Sequence, residues 1–285
     1  MVKIGDKKIY LSASNLATIM SGNFGLTDKQ ISRLGELELR NRGEATGKNG
    51  QPLGMTPNMI KELEELEHKR DNPELLQGAK SYIDTIVLSA IYGFEKDFYS
   101  VQTAHGNTFE SASIDFLNHI INSVLCDLEG KPLERKLQKN EQRIYNDDLL
   151  LTGECDVIRP GYIIDIKCPY DGFSMHKQSE ELLNQYFWQG HAYMALYNRK
   201  VIYFVYVLWE SYYMDEGSYD HLAPIDRLMI HKVEWDQSAW DRYLERIPAV
   251  KNAIKDSVNR IKASKNRTVD LISEITEIEN KCKTQ

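Results

Sequence analysis

Four cysteines, at positions 126, 155, 168 and 282, are too few and too scattered for a disulfide framework, and none forms a CxxC pair or joins histidines at zinc-finger spacing. They are read as reduced thiols. Long apolar runs are missing as well: no stretch reaches the roughly 18 residues that a membrane helix needs, and residues 1–8 contain no apolar signal core. The expectation is a soluble, cytoplasmic protein with no membrane partner. A positive balance is also lacking. With 35 Lys and Arg against 42 Asp and Glu the net charge is −7, which excludes a wholly basic surface and confines any contact with a polyanion to local patches. Nor is there a helix-turn-helix or other base-reading motif. What remains is ordinary globular material: 42% hydrophobic and 27% charged residues exclude global disorder, and 285 residues allow one elaborated domain or at most two. One domain is the preferred reading, with a helical elaboration over 1–100, a core over 101–235 and a helical extension over 236–285.

The stretch from 153 to 169 puts three charged residues where a core should be. Val157-Ile158 and Ile163-Ile164 are β-branched pairs on either side of the turn dipeptide Pro160-Gly161. If those two residues centre a hairpin, Ile158 pairs with Ile163, Val157 with Ile164, and Asp156 faces Asp165. Like charges directly opposite each other are destabilising unless something offsets them, and a divalent cation would. Alternation along the strand puts Lys167 on the same face as Asp165. Pro-Gly favours a type II turn, which suits a tight hairpin less well than a primed turn, so a wider loop and an offset register stay open.

Asp156, followed after eight residues by Asp165-Ile166-Lys167, resembles the D-(x)n-(D/E)-x-K signature of the PD-(D/E)xK nuclease superfamily. Lys167-Cys168-Pro169, the Gln189 to Tyr193 spacing and the upstream Gly106 to Glu110 spacing are similar to elements of its lambda-exonuclease, or YqaJ-like, branch. The resemblance implies an α/β fold, a mixed central sheet flanked by helices. It also implies a DNA nuclease acting on linear duplex with a free end, with Mg²⁺ or Mn²⁺ held by Asp156, Asp165, the Ile166 carbonyl and Glu110. Lys167 would handle the attacking water, Gln189 would position it, and Tyr193 would support the site. A single-strand-annealing partner and a homo-oligomer, a ring-shaped trimer, are implied too. The branch usually has Glu at the position of Asp165 and Pro-Asp-Gly where this chain has Cys155-Asp156-Val157. An endonuclease or junction resolvase with the same core, and a catalytically silent DNA-binding protein, are the alternatives. The cysteine cluster by which some relatives hold an iron–sulfur centre is absent.

Apolar periodicity predicts helices over 74–93 and 106–125, charges at i, i+4 spacing an exposed one over 57–70, and a polar stripe one over 179–197, with a shorter helix near 28–40 and a helical tail over 236–285. The central sheet is expected from 145–168, 201–209 and 228–235. Glu110 shares the buried face of its helix with Ile114, Leu117 and Ile121, which is rare for an acid unless it is paired or metal-bound. Gln185, Gln189 and Tyr193 form one stripe at i, i+4, i+8, and His191, off that stripe, is read as structural. Ser12 or Ser14 caps a helix start where a phosphate can meet helix N–H groups, as a similar segment does in the branch. Arg135, Lys136 and Lys139, with Lys131 and Arg143, make a candidate backbone-contacting edge. Residues 251–267 offer a second basic surface or an ordinary solvated helix.

Overall fold

The computed structural model describes residues 3–4, 7–94, 101–124, 136–178, 182–209 and 219–283. Short paired strands open the chain, β1 (Lys3–Ile4) against β2 (Lys7–Lys8), and β3 (Leu11–Ser12) then leads through a 3-10 turn (Ala13–Asn15) into α1 (Leu16–Met20). Next come α2 (Asp28–Asn41) and α3 (Pro57–Asp71), whose starts are written locally. Thr27 and Gln30 form a reciprocal capping box, and Thr56 caps α3 with Pro57 at its first position. α4 (Gln77–Tyr92) and α5 (Val101–Val124) precede β4 (Ile144–Asn146), β5 (Leu151–Gly153), β6 (Val157–Ile158) and β7 (Ile163–Lys167). The order closes with α6 (Gly172–Lys177), α7 (Asn184–Tyr197), β8 (Val201–Val207), β9 (Leu228–Glu234) and α8 (Gln237–Lys283). The expected mixed α/β class holds.

The strands form a four-stranded sheet in the order β6-β7-β8-β9 and a three-stranded sheet β3-β5-β4. In the larger one β7 and β8 are parallel and both edge pairs antiparallel. A parallel neighbour requires a crossover, and α7 supplies it. Residues 149–158 do not run as one strand. Residues 151–153 pair with β3 and β4, whereas 157–158 pair with β7, so the one sheet expected from 145–168 is divided between two. The reason lies at Asp156: its side-chain Oδ2 accepts the Ile166 N–H at 2.5 Å, and the chain bends there instead of continuing the ladder.

Two compact units divide the chain, one of residues 1–20 and 85–244, the other of 21–84 and 245–285. In the first, Ile164 and Ile166 of β7 with Val205 and Val207 of β8 are covered by Ile114 and Leu117 of α5. In the second, Leu34 and Leu37 of α2 pack on Leu63 and Leu66 of α3. Helix α3, laced with charge, thus buries one narrow stripe and leaves the rest in water. Among the described residues no helix is long and apolar enough to cross a membrane.

Candidate active site

Strand β7 has two unlike faces because its side chains alternate. Ile164 and Ile166 point into the apolar cluster, while Asp165 and Lys167 point the other way. The hairpin register is the one counted from the sequence: Val157 opposite Ile164, Ile158 opposite Ile163, and the Arg159 N–H donating to Tyr162 O at 2.9 Å. Gly161 does not take a positive φ, so the turn is not type II, and the offset that such a turn would bring does not arise. Asp156 lies just past the paired residues, beside Asp165.

Helix α7 completes the polar face. It comes close to the sheet through Gly190, where a Cβ would stand 3.0 Å from Ile202 Cγ2 and 3.1 Å from Phe204 Cε2. That approach carries Gln189 and Tyr193 to the carboxylates. Lys167 Nζ lies 2.5 Å from Asp165 Oδ2 and donates to Gln189 Oε1 at 3.4 Å, and Gln189 Nε2 donates to the Tyr193 hydroxyl at 3.2 Å. The ammonium also sits 4.8 Å from the centroid of the Tyr186 ring. Gly153 leaves room for Tyr193, since a Cβ there would be 2.8 Å from its Cε1.

These groups line a cleft of about 700 Å³ that includes Ser14, Glu110, Asp156, Asp165, Ile166, Lys167, Gln189 and Tyr193. The structure therefore brings together all six expected catalytic residues. Glu110 arrives from α5, half-buried, and is ion-paired with Lys139 Nζ at 2.9 Å. Lys139, expected at a DNA-contacting edge, sits against an acid of the cleft. Ser14 lines the cleft, with its Oγ 2.7 Å from that of Ser12. Ser12 occupies the cap position of the 3-10 turn, but its side chain makes no capping hydrogen bond. Lys136 is exposed, and Arg135 lies outside the described residues. The Gly106–Glu110 element is not a helix start as expected: α5 begins at Val101, so both residues lie one turn apart on one helix face.

The electrostatics follow from burial. Asp165 is 2% exposed, and desolvation raises its pKa despite the pairing with Lys167. Asp156 is pushed well above the carboxylate range by burial first, then by the charges of Asp165 and Glu110. Burial alone would lower Lys167, but the adjacent Asp165 outweighs it and raises the ammonium's pKa. Burial, then the negative charge of Asp165, lifts the Tyr193 hydroxyl far up. Two aspartates that resist ionisation in this way are groups that gain most when a cation joins them. One further observation bears on such a cation: Asp165 Oδ2 is fully buried against the Lys167 ammonium, so a cation joining the site would share that oxygen with the lysine. An oxygen-only donor set suits a hard divalent ion such as Mg²⁺ or Mn²⁺. Among the described residues no three His, Cys, Asp or Glu side chains stand close enough to hold a metal as they are, consistent with Glu110 being engaged by Lys139.

Some of the cleft escaped the sequence reading. Tyr206 is level with Lys167 across the β7–β8 ladder, and its buried hydroxyl has no hydrogen-bond partner. Nothing in the sequence fixes that parallel register. Helix α6, which contributes Ser174, did carry a local signal: the Asp171 side chain caps it by accepting the Ser174 N–H at 2.6 Å. His191 is structural as expected, fully buried, with Nδ1 bonded to Phe187 O and Nε2 accepting the Asp236 N–H.

Taken together, this is a mixed sheet with a carboxylate–lysine face crossed by one helix, a fold that solved exonuclease structures share. Two solved structures place the fold in particular. A phage-related exonuclease from Haemophilus somnus 129PT superposes with a TM-score of 0.55 at 19% identity, over 79% of this chain and 95% of that one. An alkaline exonuclease from Laribacter hongkongensis superposes at 0.52 and 12% identity, over 92% and 94%. The latter is also known in complex with dAMP, at 0.51 and 13% over the same shares. No protein-family model matches the chain, and no curated protein matches it by sequence.

Proposed function

We propose that this chain is a divalent-metal-dependent deoxyribonuclease that hydrolyses DNA phosphodiester bonds from a duplex end, with its catalytic centre within residues 101–235. The observation that carries the reading is the convergence of Asp156, Asp165 and Lys167 on the polar face of β7, with both aspartates raised in pKa by burial. The likeness to the exonuclease structures supports it through the fold.

Asp156 and Asp165 would hold Mg²⁺ or Mn²⁺, with Glu110 joining once released from Lys139 and the Ile166 carbonyl beside them. When bound, the ion supplies Lewis acidity toward the phosphate and lowers the pKa of water. The protein's own groups do the rest. Lys167, kept protonated by Asp165, presents N–H donors and positive charge where a pentavalent phosphorane accumulates negative charge. In its neutral form the same amine would be the group to take a proton from the attacking water. Gln189 holds Lys167 in place through Oε1 and is itself held by Tyr193. Ser14, which lines the cleft, would meet a backbone phosphate.

The expected substrate is linear duplex with a free end, and the basic patches suit backbone contact that positions DNA without reading it. A strand-annealing partner and a ring of three copies belong to the same proposal. The test is time-resolved digestion of end-labelled linear duplex beside covalently closed circles, with Mg²⁺ or Mn²⁺. Degradation from the ends with intact circles is the expected result. Circles nicked at a comparable rate would replace the reading with an endonuclease, and no cutting of either substrate would replace it with a silent DNA-binding protein.

A further inference from the structure

Helix α8 carries one seam along most of its length. Counted in alternate steps of three and four, Ile247, Val250, Ile254 and Ser257 fall on a line, and the same line runs on through Ile261, Ser264, Thr268, Leu271 and Ile275. The first four are buried, at 9%, 0%, 0% and 1% exposure. From 262 to 277 every residue is exposed, with Leu271 at 49% and Ile275 at 57%. Isolated exposed aliphatics are common on protein surfaces. A repeat that is filled in one half of a helix and bare in the other points to a missing partner helix.

Charge identifies that partner. Residues 260–267 hold Arg260, Lys262, Lys265 and Arg267 and no acid, whereas 270–277 hold Asp270, Glu274 and Glu277 and no cation. We propose that residues 261–277 pair antiparallel with the same segment of a second copy of this chain. Antiparallel pairing sets Thr268 against Leu271 of the second copy and Ser264 against its Ile275, so each small polar seam residue meets a larger aliphatic one. It brings Arg267 alongside Glu274 of the second copy, twice by the two-fold symmetry. Parallel pairing would stack Ser264 on Ser264 and Thr268 on Thr268, and it would set Arg260 beside Lys265 of the second copy. The paired segment is about 25 Å long at 1.5 Å per residue. Association over so short a seam is reversible and concentration-dependent.

Sedimentation equilibrium of the 285-residue chain over a range of concentrations tests this. The expected result is a reversible doubling of mass that the Leu271→Lys/Ile275→Lys variant weakens by about 100-fold or more, with its melting temperature unchanged because both sites are solvent-exposed. Orientation is read from charge reversal: Arg267→Glu weakens the association, and Arg267→Glu/Glu274→Arg restores it. If wild type and the two-lysine variant share one mass at every concentration, whether of one copy or three, the seam has some other occupant and the proposal is overturned. Failure of the double reversal to restore what the single reversal loses overturns the antiparallel arrangement. None of these readouts depends on DNA cleavage, so they stand or fall apart from the nuclease reading.

Discussion

Ile164 and Ile166 on one face of β7, and Asp165 and Lys167 on the other, are successive residues of one strand, the first three buried and Lys167 half-buried. The apolar pair packs under α5, where each fully buried aliphatic side chain contributes about 1.5–3 kcal/mol. The polar pair does the reverse. Its carboxylate has a pKa raised by desolvation, which is a statement that the folded protein is less comfortable with that charge than water is. A strand that holds such a group steady depends on its other face for stability, and substitutions on the two faces should separate stability from activity.

The largest effect is expected at Asp165. Asp165→Asn should lower cleavage by at least about 10³-fold, because a neutral amide neither holds a divalent cation nor keeps Lys167 charged. Thermal stability should change little, since relief of a buried carboxylate beside Asp156 is opposed by the loss of the partner of Lys167. Added Mg²⁺ should raise the melting temperature of the wild type and not of Asp165→Asn. A metal-checked variant that still cleaves would remove Asp165 from the mechanism. Lys167→Ala comes next, with a fall in kcat of about two to four orders of magnitude and little change in DNA affinity. Loss of affinity at normal saturated turnover would make the lysine a phosphate clamp instead. On the apolar face, Leu117→Ala should cost about 2–5 kcal/mol of stability by leaving a cavity, read by denaturant unfolding. The residual folded protein should retain its turnover per molecule, and a large loss of kcat at full folding would dissolve the contrast between the faces.

How much of this was written in the sequence depends on whether the determinant was local. The hairpin register follows from two β-branched pairs disposed symmetrically about Pro160-Gly161, and the facing of Asp165 with Lys167 follows from alternation alone. The Gln189–Tyr193 stripe is one helical turn, and the structure joins the two by a hydrogen bond. The break between β5 and β6 was not legible. It exists because a side chain, Asp156, takes a backbone N–H ten residues away, and strand propensity is silent about that. The start of α5 differs from the expectation for another reason: Gly106 reads as a boundary in the sequence, yet glycine inside a helix costs only about 1 kcal/mol, and here it lines the cleft. Tyr206 reaches the cleft by a parallel register that only the α7 crossover sets.

The smallest effect, and the one that sharpens the contrast most, concerns Lys139. It was read from the sequence as part of a phosphate-contacting edge, but the fold ion-pairs it with Glu110, 29 residues earlier in the chain, with the lysine 43% and the acid 22% exposed. A pair so open to water is worth about 0–1 kcal/mol. If its role is to hold Glu110 back from the metal, Lys139→Ala should lower the Mg²⁺ concentration for half-maximal cleavage by up to about five-fold, the equivalent of that energy. Cleavage at saturating Mg²⁺ should be unchanged. If Lys139 instead leaves Glu110 to meet DNA, the same substitution should weaken binding for every sequence and flatten the salt dependence by about one counterion, with the Mg²⁺ requirement unmoved. Titrating Mg²⁺ and salt on one pair of proteins therefore decides whether this lysine belongs to the polar face of β7 or to the DNA track beside it.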